Sequence, residues 1–271
     1  MSVFKDDILK GKTALVTGGG GDICGEIAEI YALHGANVVI TSRSQERLDA
    51  AAEAMREKTG GNILAVAGDV RNEEEVEAVV AKAIEEFGSI DTLLNGAAGN
   101  FPAPIAAMSP KGFKTVMEID VQGTFNMTKA CFPHLHAAAE KHGDASIINI
   151  SATLHYTGTP FQAHVCAAKA AIDAFTRVTA NEWGPLGIRA NAVAPGPIGD
   201  TEGMRRLAPK GAAADAMMKN IPLRRFGEKR EIADACLFLA SAASSYTTGA
   251  ILVVDGGAWM YSPSIGDFTL D

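Results

Sequence analysis

The stretch that decides the fold is "LVTGGGGDICGEIAEIYALHG", residues 15–35. Here an apolar run is followed by four consecutive glycines and then by a segment whose apolar residues recur at helical spacing. Glycines in such a turn let the backbone approach a pyrophosphate, which binds at the N-terminus of the following helix. A glycine cluster alone is often a plain turn, but this one follows the first predicted strand and therefore favours dinucleotide binding.

The alternation of short apolar runs and helical segments continues along the chain. Most runs are apolar on both faces, as strands buried in a parallel sheet are. The predicted strands are "TALVT" (13–17), "NVVIT" (37–41), "NILAVA" (62–67), "DTLLN" (91–95), "SIINI" (146–150), "IRANAV" (188–193) and "ILVVD" (251–255). This pattern predicts an α/β fold, a single Rossmann-like doubly wound parallel sheet of about seven strands with helices on both faces.

The domain organisation is predicted to be simple. No repeat, low-complexity tract or linker divides the sequence, so we expect a single domain over 1–271. A helix is predicted over 72–87, where an acidic first turn suits a helix N-terminus. The irregular segment is 195–222, rich in Pro, Gly, Ala and charged residues. Because it follows a strand end, where ligands of such sheets bind, it is predicted to be a substrate lid.

Composition excludes several classes of function. The net charge is −8 and no basic run is present, which argues against a nucleic-acid or membrane-surface partner. The four cysteines are scattered without a C-x-x-C pair, as in a reducing compartment. No apolar stretch reaches membrane-spanning length, no N-terminal leader is evident, and the final Thr-Leu-Asp is not the peroxisomal tripeptide. We therefore expect a cytoplasmic protein, with no metal site.

The end of the second predicted strand bears on the choice of cofactor. NAD enzymes usually carry an acidic residue there for the ribose hydroxyls. This chain instead has "TSRSQER" (41–47), and its guanidinium groups can pair with a 2′-phosphate. The segment therefore favours NADP(H). Alternatively, Arg43 and Arg47 are solvated residues at the start of the next helix. This interpretation is favoured more for Arg47 than for Arg43, which lies next to the end of the strand.

Taken together, the motifs identify the chain as similar to the short-chain dehydrogenase/reductase family over nearly its whole length. They are "TGGGG" (17–21), "GDV" (68–70), "NGAAG" (95–99), "NIS" (149–151), Lys169, "NAVAPGPI" (191–198) and "DGG" (255–257). The resemblance implies that Asp69 and Val70 flank the adenine, that Asn95 and Ala97 support the ribose, and that Pro195 to Thr201 surround the nicotinamide half. Alternatively, Asp69 is a cap and Asn95 a turn former. The predicted cofactor-binding residues are Gly18, Gly20, Gly21, Asp22, Ile23, Arg43, Ser44, Arg47, Asp69, Val70, Asn95, Ala97, Lys169, Pro195, Gly196, Ile198 and Thr201.

Two positions depart from the family's glycine spacing, T-G-x-x-x-G-x-G. Asp22 and Cys24 stand where glycines are expected. Asp22 is predicted to cap the helix, although its charge lies close to the expected pyrophosphate. Cys24 is small enough to allow close packing.

The catalytic positions depart further. The resemblance places Asn, Ser, Tyr and Lys at four positions that read Asp120, Ala152, Val165 and Lys169 here. Both hydroxyl donors that would hold a carbonyl oxygen are gone, and losing a single such donor can cost about 10²–10³ in rate. Ordinary carbonyl reduction is therefore disfavoured.

A second resemblance accounts for the missing tyrosine. The segments "NGAAGNF" (95–101), "FKTVMEIDVQGTFN" (113–126), "NISATL" (149–154), "AHVCAAKAAIDA" (163–174), "EWGPLGIRANAVAPGPIGDTEGMRRL" (182–207) and "DGGAW" (255–259) resemble 2,4-dienoyl-CoA reductases, especially the peroxisomal type. That subgroup also lacks the tyrosine, and its peroxisomal branch has an aspartate at the position of Asp120. The mitochondrial type carries a catalytic tyrosine at the position of Leu154; Tyr156 is out of register with it.

This subgroup's chemistry needs a proton on carbon, which a fixed water can deliver. The predicted catalytic residues are Lys169, Asp120 and Asp173, the last at i+4 from the lysine on one helix face. Alternatively, Asp173 is only the ion-pair partner of Lys169, and Asp120 a buried cap. His155 and His164 are interpreted as lining residues rather than acids.

A CoA thioester needs cations for its phosphates and an apolar slot for its acyl chain. The resemblance implies substrate contacts from Arg71, Phe101, the segment Ser109 to Lys111, and Arg206. Arg205 is a candidate cation or part of a solvated helix face. Met204, Leu207, Met217 and Met218 either line the acyl slot or pack the lid.

The sequence thus predicts an NADPH-dependent 2,4-dienoyl-CoA reductase acting on acyl-CoA thioesters in fatty-acid β-oxidation, and family members suggest a homotetramer. Two alternatives stay open. One is a short-chain dehydrogenase acting on another conjugated or carbonyl substrate. The other is a catalytically silent NADP-binding subunit, for which Asp22 and Cys24 are the best argument.

Overall fold

Seven parallel strands form one sheet in the order β3-β2-β1-β4-β5-β6-β7, which confirms the predicted doubly wound fold. The structure is a computed structural model that describes residues 3–207 and 211–260, without the side chains of residues 206, 207, 212 and 213. The strands are β1 (Thr13–Thr17), β2 (Asn37–Ser42), β3 (Ile63–Ala67), β4 (Thr92–Asn95), β5 (Ala145–Ile150), β6 (Ile188–Pro195) and β7 (Ile251–Val254). Each lies within two residues of its predicted bounds.

The helices between the strands cover both faces of the sheet. They are α1 (Asp22–Leu33), α2 (Gln45–Thr59), α3 (Glu73–Phe87), α4 (Pro110–Met117), α5 (Gly123–His142), α6 (Leu154–Thr157), α7 (Ala163–Trp183), α8 (Glu202–Leu207), α9 (Ala212–Lys219) and α10 (Lys229–Ala240). A π-helical turn, Glu118–Gln122, joins α4 to α5. None of the helices in the described ranges combines the length and the apolar run that a membrane crossing needs.

Alternating side chains of the strands divide the core between the two faces. Val16 and Ile40 belong to the cluster that packs against α1, α2 and α10. Leu15 and Val39, their neighbours along the same strands, belong to the cluster that packs against α3 and α5. Because the central strands bury both of their faces, their runs are largely apolar, which is why they could be recognised in the sequence.

Local signals fix where the helices begin and end. The side chain of Asn72 accepts hydrogen bonds from the backbone N–H groups of Glu74 and Glu75 at the start of α3. The same helix ends at Gly88, whose φ of 76° is a left-handed conformation that glycine adopts without steric cost. The predicted helix over 72–87 is therefore confirmed, with Asn72 as its cap.

The order of the strands reverses between β1 and β4, and this creates a crevice at the carboxyl ends of the sheet. The hydroxyl of Thr17, at the end of β1, accepts hydrogen bonds from the backbone N–H groups of Gly96 and Ala97, at 2.9 and 3.0 Å. These bonds hold the two loops that border the crevice at a fixed separation.

The segment 195–222 is more ordered than the sequence indicated. It was predicted to be irregular, but it contains the short helices α8 and α9. Its many Gly and Pro residues lie mainly before and between these helices, and they obscured the helical spacing of the remainder.

Candidate active site

A cavity of about 970 Å³ opens at the switch point of the sheet. Its wall is built from the glycine turn after β1, the carboxyl ends of strands β2 to β6, part of α7, the segment that follows β6, and the turn after β7. The predicted cofactor residues that border it are Gly18, Gly21, Asp22, Ile23, Arg43, Asp69, Val70, Ala97, Lys169, Pro195, Gly196, Ile198 and Thr201. Gly20, Ser44, Arg47 and Asn95 do not border it.

The glycine turn brings backbone directly against backbone. Gly18 has a φ of +73°, and a Cβ there would lie 3.1 Å from the carbonyl oxygen of Gly96. A Cβ on Gly19 would lie 2.6 Å from the side chain of Ile40. A larger residue at either position would push the turn out of the crevice, so the N-terminus of α1 borders the cavity only because these residues are glycines.

Asp22 links the glycine turn to α8. Its Oδ2 accepts a hydrogen bond of 2.7 Å from the backbone N–H of Glu202 and lies 3.5 Å from Nη2 of Arg205. The prediction that Asp22 caps α1 is wrong, because Gly21 occupies the cap position and no side chain bonds to the helix there. Arg205 is accordingly engaged in this contact and with Glu202.

Cys24 fills the space that the missing glycine would have left. The thiol is buried, and its Sγ lies 3.6 Å from the carbonyl oxygen of Gly96. A Cβ on Gly96 would lie only 2.2 Å from that sulfur, so the two residues fit each other. Burial raises the pKa of the Cys24 thiol to about 12, and the group therefore stays protonated and serves packing.

Arg43 follows β2 and borders the cavity with an exposed side chain. It has no hydrogen-bond or ion-pair partner among residues 3–207 and 211–260. Ser44 caps α2, with its hydroxyl accepting from the N–H of Arg47. Arg47 is exposed in the first turn of that helix, where the alternative interpretation placed it.

Asp69 and Arg71 form a tight pair after β3. The guanidinium Nε donates to both carboxylate oxygens of Asp69, at 3.0 and 3.1 Å, and the Arg71 backbone N–H donates to Oδ1. These bonds hold the pKa of the Asp69 carboxyl below its usual value. Asp69 borders the cavity, whereas Arg71 does not.

Lys169 lies in the cavity wall and forms an ion pair with a buried aspartate on the side away from the cavity. Its Nζ lies 3.1 Å from Oδ2 of Asp120 and donates a 2.9 Å hydrogen bond to the carbonyl oxygen of Ile150. Asp120 is fully buried in the π-helical turn, where its Oδ1 accepts from the N–H of Gly99 at 2.7 Å. The structure thus brings Lys169 and Asp120 together, with only the lysine at the cavity surface.

Asp173 faces away from the lysine, although the two residues lie one turn apart on α7. Its carboxylate accepts a 2.5 Å hydrogen bond from the Ser151 hydroxyl and lies 2.9 Å from Nε2 of His155. The Tyr156 hydroxyl also donates to it, at 3.4 Å. The alternative that Asp173 pairs with Lys169 is wrong, because Asp120 takes that place.

Ser151 and His155 are two partners that sequence reasoning did not assign. Both lie 18 or more residues from Asp173 and reach it only because β5 and α7 are adjacent. His155 was interpreted as a lining residue, as was His164, yet neither borders the cavity. His164 is buried with its ring edge-on to Phe101, at 4.4 Å between centroids.

The cavity wall near Lys169 offers apolar side chains where the family has hydroxyl donors. Ala152 and Val165 both border the cavity. The hydroxyl of Ser151, which also borders it, is already bonded to Asp173. No arrangement resembling a carbonyl-activating hydroxyl pair is therefore formed by these residues.

The predicted substrate residues lie outside the cavity wall. Phe101 packs against His164, Ser109 caps α4 by accepting from the N–H of Gly112, and Lys111 is exposed in the first turn of that helix. The side chains of Arg206 and Leu207 lie outside the described residues. Met204 and Met217 border the cavity, whereas Met218 does not.

No cluster of His, Cys, Asp and Glu suited to a metal ion occurs in the part of the chain that the structure describes.

Comparison with known proteins adds the family. A family model described as enoyl-(acyl carrier protein) reductase matches residues 21–258. The chain is 48% identical to a peroxisomal 2,4-dienoyl-CoA reductase, (3E)-enoyl-CoA-producing, of Danio rerio, covering 96% of this chain and 85% of the relative. A relative of the same description from Saccharomyces cerevisiae is also 48% identical, over 94% of this chain and 87% of the relative.

Among solved structures, a gluconate 5-dehydrogenase from Burkholderia cenocepacia in complex with NADP and tartrate has the same fold. Its TM-score is 0.87 at 33% identity, and the match covers 95% of this chain and 99% of that one.

The expectation of a cytoplasmic location is wrong by this comparison. The relatives that are 45–48% identical to this chain are named peroxisomal enzymes. The expectation relied on the final tripeptide, and a terminal signal is only one means of targeting.

The matched family model spans most of the chain, and the relatives and the shared seven-stranded sheet agree with it. The chain belongs to the short-chain dehydrogenase/reductase family.

Proposed function

We propose that the protein reduces 2,4-dienoyl-CoA thioesters to (3E)-enoyl-CoA with NADPH, as a step of fatty-acid β-oxidation. The observation that carries the proposal is the buried Lys169–Asp120 pair in a cavity where Ala152 and Val165 replace the hydroxyl donors. The names of the relatives supply the substrate class and the position of the product's double bond.

The residues present fit NADP(H). The glycine turn packs where a Cβ would clash with Gly96 or Ile40, and this close packing keeps the N-terminus of α1 at the cavity. Arg43, which has no hydrogen bond or close ion pair within the described residues and whose charge acts at a distance on Asp69, offers a guanidinium at the position where a 2′-phosphate is recognised. When bound, the reduced cofactor supplies the hydride.

The electron count of the substrate fixes where the proton must go. The dienoyl thioester accepts a hydride at its δ-carbon, and the two double bonds shift so that one remains between carbons 3 and 4. Negative charge then resides on the α-carbon and the thioester oxygen. A proton added to the α-carbon completes the (3E)-enoyl product, so the proton donor must reach carbon rather than a carbonyl oxygen.

Lys169 is the group we assign to this task. An ammonium has three N–H donors; one donates to the carbonyl oxygen of Ile150, and Nζ also forms an ion pair with Asp120. A further donor is available at the cavity surface, where it can hold a water molecule or the thioester oxygen. Asp120 holds the lysine in position through the ion pair, and the water passes its proton to the α-carbon.

Asp173 is proposed to act through its neighbours. Its bonds to Ser151 and His155 tie α7 to the loop that carries Ala152 and Leu154 into the cavity wall. Through these bonds Asp173 positions the cavity wall. Its direct role in proton transfer stays a prediction from the sequence.

The CoA portion is proposed to bind outside the cavity. Arg71, Phe101, Ser109, Lys111 and Arg206 are the proposed contacts, with cations for the phosphates and Phe101 for the apolar part of the ester. The segment 195–222 is proposed as a lid, since Asp22 joins α8 to the glycine turn across the cofactor site.

We also propose that the protein is a homotetramer. Phe125 on α5 and Val178 on α7 are each about half exposed, and Phe125 packs edge-on against Phe175 of α7. The two helices therefore present apolar side chains on one outer surface, which a second copy would cover.

The reaction is tested by adding 2,4-decadienoyl-CoA to the protein with NADPH. We expect loss of NADPH absorbance, and the product's NMR spectrum should show the double bond between carbons 3 and 4. A 3-oxoacyl-CoA serves as the matched carbonyl substrate and should react far more slowly. Tight NADPH binding without turnover of either substrate would instead support a silent subunit.

A further inference from the structure

Trp259 ends the "DGGAW" segment and borders the cavity. It follows β7, the edge strand on the side of the sheet opposite to β2 and β3, after which the proposed adenine contacts lie. The indole therefore belongs to the substrate side of the cavity, where Met217 and Ile221 also line the wall.

Hydrogen bonds fix the backbone of the turn that carries Trp259. The carboxylate of Asp255 accepts hydrogen bonds of 2.8 Å from the N–H groups of Gly257 and Trp259. Gly256 and Gly257 have φ values of 65° and 85°, and a Cβ on either would lie 2.9 Å from Ile221 or Pro222. The turn is thus packed tightly against the chain that follows α9.

Side-chain contacts fix the indole from a second direction. The ring of Tyr156 meets it edge-on, with centroids 5.4 Å apart. The Tyr156 hydroxyl donates to the buried Asp173. Burial, together with the charge of Asp173, raises the pKa of Tyr156 to about 12, so the phenol stays a donor at neutral pH.

The indole is nevertheless 41% exposed, so it forms an apolar surface at the rim of the cavity rather than a closed end. We propose that Trp259 determines acyl-chain preference: the distal methylenes of a medium-length chain lie on its indole, and short chains do not reach it. The inference rests on the proposed acyl-CoA substrate. Removing methylenes from water favours binding of the longer chain by about fourfold for each fully buried group.

Binding can be tested without turnover. The chain has two tryptophans, and the other, Trp183, packs against Phe132 in the core cluster beneath α5. A Trp183→Phe variant makes Trp259 the sole reporter, and Trp259→Phe is its matched control. Decanoyl-CoA should change the emission of Trp183→Phe at saturation, butyryl-CoA should not, and the control should respond to neither.

An equal response to both chain lengths, or none to either, would overturn the proposal.

The second test is kinetic. In Trp259→Ala, kcat/KM for 2,4-decadienoyl-CoA should fall on the order of tenfold relative to 2,4-hexadienoyl-CoA, whose chain extends only one carbon beyond the δ-carbon. Trp183→Phe should keep the wild-type ratio of the two kcat/KM values. Trp259→Phe should lose part of that ratio, and it replaces the alanine variant in the test if the alanine variant does not fold.

An unchanged ratio, or a stronger preference for the longer chain, would refute a role for Trp259 as a supporting surface. Failure of the wild type to reduce either dienoyl thioester would count against the proposed function alone. The emission of Trp259 with unreactive acyl-CoAs would still decide the inference in that case.

Discussion

Lys169 and Asp120 show how a buried charge is kept available for chemistry. Removing two ions from water is costly, and only close pairing with further hydrogen bonds offsets that cost. Here Asp120 forms an ion pair with Lys169 and accepts a hydrogen bond from the N–H of Gly99, while Lys169 also donates to Ile150. Oδ2 of Asp120 has no hydrogen-bond partner among the described residues, so the ion pair with Lys169 is what offsets its burial, and Lys169 itself borders the cavity.

Replacing Lys169 with alanine removes this donor and should lower the rate of dienoyl-CoA reduction at least about 10²–10³-fold. Lys169→Arg, which retains the charge but not the shape, is the matched variant and should retain part of the activity. NADPH binding is measured separately by fluorescence titration. Full activity of Lys169→Ala with unchanged binding would show that the proton comes from elsewhere.

Val165→Tyr is expected not to create a ketone reductase. The new hydroxyl would lie in the wall near Lys169, but Ala152 offers no second donor and Asp120 holds the lysine. Steady-state rates with a 3-oxoacyl-CoA should stay at background. Brisk reduction of that ketone by the variant would mean that the tyrosine position alone decides the chemistry.

Site residues that occupy motif positions could be predicted from the sequence, whereas the partners that they contact in the folded chain could not. Lys169 and Asp120 were found from motif positions, but their pairing was not, because Asp120 enters from the π-helical turn between α4 and α5. Helical spacing favoured Asp173 as the lysine's partner, and the rotation of α7 against β5 directs Asp173 to Ser151 instead.

At the scale of elements, the carboxylate of Asp22 links α1 to α8. Asp22 bonds the first residue of α8 and lies beside the N-terminus of α1, where a pyrophosphate would bind. A carboxylate there competes with the phosphate for the positive end of the helix dipole. It also restrains the proposed lid.

Asp22→Asn removes the charge and should tighten NADPH binding about two- to fivefold. Because the amide is a weaker acceptor, hydrogen exchange of residues 201–205 should also become faster. Asn72→Ala, which removes the cap of α3 outside the cavity, is a control for general loosening of the fold. Weaker NADPH binding in Asp22→Asn would indicate that the link itself supports the cofactor.

Near the N-terminus of α10, the carboxyl group of Glu231 has a clearly lowered pKa. Glu231 accepts from the N–H of Glu228 and from both Nη atoms of Arg225, and the Arg225 bonds are the main reason that its pKa is lowered to about 2. A lowered folded-state pKa stabilises the fold above the unfolded value of about 4.5, and this contribution is lost as the pH falls from there toward 2.

Glu231→Gln should therefore lower Tm at pH 7 by about 1–3 °C, a small effect because the pair is partly exposed. The difference from the wild type should shrink below pH 4.5 in thermal unfolding followed by circular dichroism. Glu57→Gln, an exposed residue on α2, is a control for loss of a negative charge. A difference that grows on acidification would contradict the assignment.

For the whole molecule, the sheet and its switch point were predictable because most strands are apolar on both faces and alternate with helical segments. The segment 195–222 and the rim residue Trp259 were less so, since their roles depend on which strand ends lie next to them. Asp255 reads as part of a family motif, yet its two hydrogen bonds to the following turn are visible only in three dimensions.

Assembly is the property of the whole molecule that remains to be measured. Half-exposed apolar residues on α5 and α7 form one outer surface; Lys169 lies on α7, and Asp120 lies in the π-helical turn that leads directly into α5. Covering that surface in a tetramer would contribute about 25 cal/mol per Å² of apolar area buried, and it would also support α7 and the start of α5, next to the ion pair.

Light scattering after gel filtration should give about four times the 28.3 kDa chain mass for the wild type. Phe125→Glu combined with Val178→Glu places like charges on the surface and should yield smaller species with reduced activity, because α5 and α7 lose that support. Tyr246→Glu, at a fully exposed residue between α10 and β7, should leave the mass unchanged. A monomeric wild type with full activity would show that the pair is held by the fold of one chain alone.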